Sequence, residues 1–156
     1  MTPNAVKTIF EPSSIADFEI RIKLLSETSH KKWGKMNVRQ MLKHCLENER
    51  LLQRKKVFKD VLIGRLFGPM ALKSDTKNDK PFSKNSPTHP DLKFGAVNEN
   101  IDVLKEEWLH LLKDYPNLDS QHYLGFKHPF FRRMSYHQVG VWAFKHVDHH
   151  LRQFGV

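Results

Sequence analysis

The sequence predicts an all-α fold, an antiparallel four-helix bundle with an additional short helix and long loops. Several segments repeat apolar residues every three or four positions, the spacing that puts side chains on one face of a helix. Two of them open on capping boxes, Asn37 with Gln40 and Ser135 with Gln138, in which each partner's side chain meets the other's backbone N–H. No segment alternates apolar and polar residues as a half-buried strand does. At 156 residues, residues 1–156 read as a single domain, long enough to bury a core and short for two.

Taken in order, residues 1–12 read as a short arm, and Ser14 with Asp17 opens a first helix through Phe18, Ile22 and Leu25 to about Thr28. Asn37 starts a second helix that runs to about Lys55. Val38, Met41, Leu42, Cys45, Glu49 and Leu52 form its main stripe, and His44 stands at the edge of that stripe. Phe58, Val61, Leu62, Leu66 and Phe67 suggest a short further helix, broken near Gly64 or at Gly68-Pro69. Ser74 to Pro90 is polar, contains three prolines and reads as a long loop. From Val97, the residues Ile101, Leu104, Trp108, Leu111, Leu112 and Tyr115 form a regular stripe, capped at Asn98 or Asn100 and stopped by Pro116. Residues 117–134 form a second irregular connection. The last helix runs from Ser135 toward Gly155, a glycine placed to end it.

Composition narrows the class. The chain is 39% hydrophobic and 11% aromatic, as globular proteins are, and no apolar run approaches the roughly 20 residues of a membrane helix. No membrane partner is expected. The N-terminal residues lack an apolar h-region, so a cytoplasmic location is expected, and a lone Cys45 agrees with a reducing compartment. There are 26 basic and 17 acidic residues, a net charge of +9, which raises the question of a nucleic-acid partner. The basic residues are dispersed, the densest group being Arg50, Arg54, Lys55, Lys56 and Lys59. No zinc-finger, RRM or basic-zipper pattern accompanies them, so the expectation is no nucleic acid.

The chemistry concentrates in the last helix. Val139, Trp142, Ala143, His146, His150 and Gln153 share one stripe, whereas Lys145, Asp148, His149 and Arg152 fall on the other side, read as the solvent face. Histidines four apart on a helix lie one above the other, close enough to bind one ion. The alternative is a pair of core histidines. Rings buried without partners would cost about 1–3 kcal/mol per unpaired group, a cost that a shared ion removes. With His44 from the second helix, a bundle can assemble three imidazoles, the ligand number of an open catalytic zinc site. Cys45 is turned about 100° from His44 on that helix and is read as a core residue.

The segments Asn37-Val-Arg-Gln-Met-Leu-Lys-His44, His128-Pro129-Phe130-Phe131 and His146-Val-Asp-His149-His150-Leu-Arg-Gln153-Phe-Gly, together with Trp33, resemble the DinB-like (YfiT-like) superfamily of metalloenzymes. The nearest likeness is to a branch of unknown function. The resemblance implies a four-helix bundle, often a homodimer, with a divalent metal, zinc or nickel, on His44, His146 and His150. It implies that His149 is a motif histidine but not a ligand. Some members of this superfamily transfer low-molecular-weight thiols to electrophiles.

The resulting expectation is a divalent-metal-binding helical bundle, a metal-dependent thiol transferase or hydrolase acting on a small-molecule substrate. Metal coordination favours a thiolate, or lowers the pKa of water to about 7, so an open position serves either chemistry. The opposing class is a non-catalytic protein with a structural ion or an anionic partner. Asn48, one turn beyond His44, is a candidate pocket residue, Gln153 a brace, and His128 a turn residue or part of the pocket mouth.

Overall fold

The computed structural model describes residues 6–156, and the part of the expected arm in residues 1–5 lies outside the described residues. The described chain is mostly helical: α1 Pro12–Lys23, α2 Val38–Leu52, α3 Leu62–Thr76, α4 Ile101–Asp114 and α5 Tyr136–Gln153. A two-stranded antiparallel hairpin, β1 Lys127–His128 and β2 Arg132–Arg133, sits in the connection before α5. The short strands correct the reading of that segment as wholly irregular. None of the described helices is long and apolar enough to cross a membrane.

Both capping boxes form, with Gln40 and Ser135 each meeting its expected partner. The first helix departs from its expected start. Its N-cap is Glu11 and Pro12 occupies the first turn, where a missing N–H costs nothing. It ends at Lys23 rather than Thr28, because Ser26 and Ser29 bond to each other's backbone and side chain in a turn that competes with helix. The second helix stops at Leu52, three residues short of Lys55, where Arg54 adopts a left-handed conformation at φ 61°. Arg54 Nη1 then donates to the His122 carbonyl oxygen, which anchors the turn. Of the two candidate caps for α4, Asn100 is the one used, accepting from Asp102 N and Val103 N. Val97 precedes this helix, and Tyr115–Asn117 add a 3-10 turn through Pro116.

The largest correction concerns α3. It does not break at Gly64 or Gly68-Pro69 but continues to Thr76, so the expected loop begins three residues later than Ser74. The two glycines face the 127–133 hairpin, where a Cβ on Gly64 would stand 2.5 Å from the Phe130 carbonyl oxygen. A Cβ on Gly68 would be closer still to the same oxygen. Here glycine permits helix and backbone to touch, and that packing outweighs its poor helix propensity. Gly68→Ala should therefore push α3 off the hairpin and destabilise the protein by about 1–3 kcal/mol, the usual range for overpacking, measured by urea unfolding.

The main core joins Phe18 and Ile22 of α1, Met41, Leu42 and Leu46 of α2, Leu104, Trp108 and Leu112 of α4, and Val139, Ala143 and Val147 of α5. Among element pairs, α2 and α4 pack most extensively, and a buried Tyr115 hydroxyl donates to Glu49 between them. Burial pushes the Glu49 carboxyl up to about 8, so that it is largely protonated at neutral pH. The α5 helix touches α1, α2 and α3, and its histidine face meets α2.

Candidate metal centre

The expected solvent face of α5 is partly covered. Lys145 and His149 are buried, Lys145 under the end of the unbroken α3 and His149 against Phe82 and Trp33. Lys145 Nζ donates to the Asp75 and Asn78 carbonyl oxygens at the end of α3, a cation closing a helix C-terminus. Asp148 and Arg152 stay partly exposed, paired at 2.8 Å, with Arg21 of α1 bonded to the same carboxylate at 3.0 Å.

On the opposite stripe His44, His146 and His150 come together, at 3%, 6% and 6% exposure. One nitrogen from each lies within 4.8 Å of the others. The capping box of α2 fixes the start of the helix that carries His44, and the four-residue step on α5 stacks the other two rings. The ring centroids of His146 and His150 are 4.6 Å apart, and those of His44 and His150 are 4.7 Å apart.

Outer partners occupy the second nitrogen of every ring. His44 Nδ1 is 3.1 Å from the Leu92 carbonyl oxygen. A carbonyl only accepts, so the proton is on Nδ1 and the Nε2 lone pair is free. His150 Nδ1 is 2.8 Å from Gln153 Oε1, whose own amide nitrogen donates to the Trp33 carbonyl oxygen at 3.0 Å. That chain orients the Gln153 amide, so His150 also carries its proton on Nδ1. His146 Nδ1 meets Asn48 Nδ2 at 3.3 Å, and its Nε2 is 3.0 Å from His44 Nε2. In this arrangement the His146 Nε2–H donates to His44. The indole of Trp142 stacks on His146 at 4.8 Å and 16°, holding the ring plane.

Electrostatics agree with neutral rings. Burial holds His44 down to about 4, against some relief from the Leu92 hydrogen bond. Burial first, then the neighbouring rings, holds His146 and His150 well below the ordinary histidine range. Neutral imidazole is the form that binds a metal. With metal–nitrogen bonds of about 2.0–2.1 Å, tetrahedral ligands stand about 3.3 Å apart, close to the His44–His146 separation. Among the described residues no fourth His, Cys, Asp or Glu joins the group. Cys45 is buried and contacts Met41 at 3.7 Å, turned away as its helical position requires.

The comparisons with known proteins concern the family. The DinB superfamily sequence model matches residues 16–154. The chain belongs to the DinB superfamily. No match was found among curated proteins or solved structures. In this DinB chain the match spans all three histidines of the cluster.

The other candidates fall into place around them. Asn48 is buried against His146, and Gln153 braces His150. His149 is outside the three-ring group, its ring edge-on to Trp33 at 5.6 Å. His128 is a turn residue: its Nδ1 accepts from the Phe130 and Phe131 N–H groups at 3.1 and 3.2 Å. It is buried near Trp142 but does not enter the cluster. The contribution that sequence reasoning missed is the Leu92 carbonyl, supplied by a 3-10 turn at Pro90–Leu92. A backbone acceptor has no side-chain signature, so no residue pattern announces it.

Proposed function

We propose that this DinB-superfamily protein holds one divalent ion, zinc or nickel, on His44 Nε2, His146 Nε2 and His150 Nε2, with a coordination position open to a small molecule. The observation that carries this reading is the convergence of three neutral rings whose other nitrogens are all engaged by outer partners. Outer partners of this kind fix ring orientation and raise ligand basicity in metal sites. His146 needs one adjustment, moving its proton to Nδ1 while the planar Asn48 amide turns its oxygen toward that atom. We read α1, α2, α4 and α5 as the antiparallel four-helix bundle, with α3 as the additional helix.

The reaction class that fits is metal-dependent thiol transfer or hydrolysis on a small-molecule substrate. An ion at this point supplies Lewis acidity, lowering the pKa of a thiol or water placed against it. The protein's part is positional. Leu92, Asn48 and Gln153 keep the rings aimed at one point, Trp142 fixes the plane of His146, and burial keeps the rings neutral. Elemental analysis of protein purified without nickel affinity tests the assignment, with one ion per chain expected. Protein that stays metal-free after incubation with zinc and nickel would refute it.

Proton linkage gives a second expectation. An unfolded histidine titrates near 6.5, whereas folded His44 titrates near 4. Between those values the unfolded chain binds more protons, so metal-free stability falls as pH drops from about 6.5 toward 4. His44 alone contributes a loss on the order of 3 kcal/mol across that window, at about 1.4 kcal/mol per pH unit. Melting temperatures with and without zinc should both fall as pH drops toward 5, with the zinc-loaded protein offset upward by mass action because the folded rings stay neutral over that range. A metal-free melting temperature that does not change between about pH 6.5 and 5 would contradict it.

A further inference from the structure

The α3 helix is amphipathic in the reverse sense of an ordinary surface helix. It buries Gly64, Gly68, Leu72 and Thr76, one residue per turn, against the rest of the protein. It turns Leu62, Ile63, Leu66, Phe67 and Met70 outward, each between 51% and 76% exposed. At 100° per residue these five fall within an arc of about 140°, so they form one stripe. Taking about 200 Å² per large apolar side chain, the stripe presents roughly 600 Å², the upper end of what a monomer usually leaves as one patch. Val57, just before the helix, is exposed as well.

Charge decides what fits. Lys59 and Lys77 lie just beyond the two ends of the helix and Arg65 and Lys73 fall on the Leu62 side of the stripe, all exposed, and none is ion-paired within the described residues. Between Asp60 and Asp75 the chain has no acidic residue, and Asp60 is already paired with Lys127 and Arg132. A second copy of the chain would bring these like charges together. The patch also falls short of the roughly 800 Å² per partner of a standard protein–protein interface. The side chains project rather than line a groove, which disfavours a bound peptide helix. An apolar ridge edged by cations matches an anionic lipid surface, where apolar side chains enter the acyl boundary and the cations meet headgroups.

We propose that α3 docks the protein on anionic membrane surfaces through Leu62, Ile63, Leu66, Phe67 and Met70, with Arg65 and Lys73 on the headgroups. This is adsorption onto a bilayer, not passage through it; it departs from the expectation of no membrane partner, which rested on spanning length alone, and it is independent of the metal centre. Co-sedimentation of the full chain with phosphatidylcholine vesicles, with and without phosphatidylserine, tests it. Binding is expected only with phosphatidylserine present, weakening as salt rises over the Debye-screening range. Leu66→Glu should cut the partition coefficient more than tenfold. Arg65→Gln with Lys73→Gln should cut it roughly thirtyfold, at about 1 kcal/mol per cation. Circular dichroism and the metal content of each variant should match the parent, since all three positions are exposed. Absence of sedimentation at low salt overturns the proposal, as does Leu66→Glu binding as well as the parent. A concentration-dependent dimer that Leu66→Glu disperses, without vesicle binding, would assign the face to a second copy instead.

Discussion

His146→Ala is expected to reduce bound zinc or nickel from one ion per chain to a trace in elemental analysis. His146 faces both other rings of the cluster, with its Nε2 3.0 Å from His44 Nε2 and its ring 4.6 Å from that of His150. Its removal leaves two imidazoles and a space that no carboxylate or thiol among the described residues can fill. Gln153→Ala provides the graded comparison. Within the cluster the amide touches only the far nitrogen of His150, so its loss should weaken binding about 10–100-fold without abolishing it, the usual effect of an outer-shell change. Equal metal content in His146→Ala and the parent would remove the ligand assignment, and equal affinity in Gln153→Ala would remove the brace.

What could be read in the sequence was local or periodic. A capping box spans four residues and needs no tertiary contact, which is why Asn37–Gln40 and Ser135–Gln138 are legible in the sequence and form where it places them. The His146–His150 step is likewise a property of one helix, and the core stripe of α4 survives from Ile101 to Leu112. Bringing His44 to the pair is a tertiary event. It was expected from its edge position on α2 and from the family resemblance, not from any local rule.

The departure at α3 comes from packing that propensity does not see. Gly64, Gly68 and Pro69 read as breakers, yet the hairpin backbone at Phe130 requires the glycines' missing side chains, and exposed Pro69 is carried along. A helix ending before Gly68 would leave Lys145 in solvent, as expected for it, whereas the continuous α3 brings the Asp75 carbonyl onto its ammonium, and His149 is covered by Phe82 and Trp33. The Leu92 carbonyl was invisible for a different reason, since its hydrogen bond to His44 spans 48 positions and uses no side chain of the acceptor.

Cobalt substitution should show whether the coordination position is open. The cluster supplies three ligand atoms, and an ion held by three imidazoles retains at least one exchangeable place, whereas structural sites are closed by a fourth protein ligand. Cobalt in the three-histidine site is expected to absorb in the visible region. Adding a small thiol should shift those bands and introduce a sulfur-to-metal charge-transfer band at higher energy. Azide should shift the visible bands without producing that feature. His150→Ala, lacking the ring that Gln153 orients, should show no cobalt spectrum at all. A thiol response that saturates would connect the centre to thiol transfer, while a response to azide and pH but not to thiols would favour hydrolysis. Indifference to thiols, azide and pH together would mean that the ion is closed off, and the enzyme reading would fall with it.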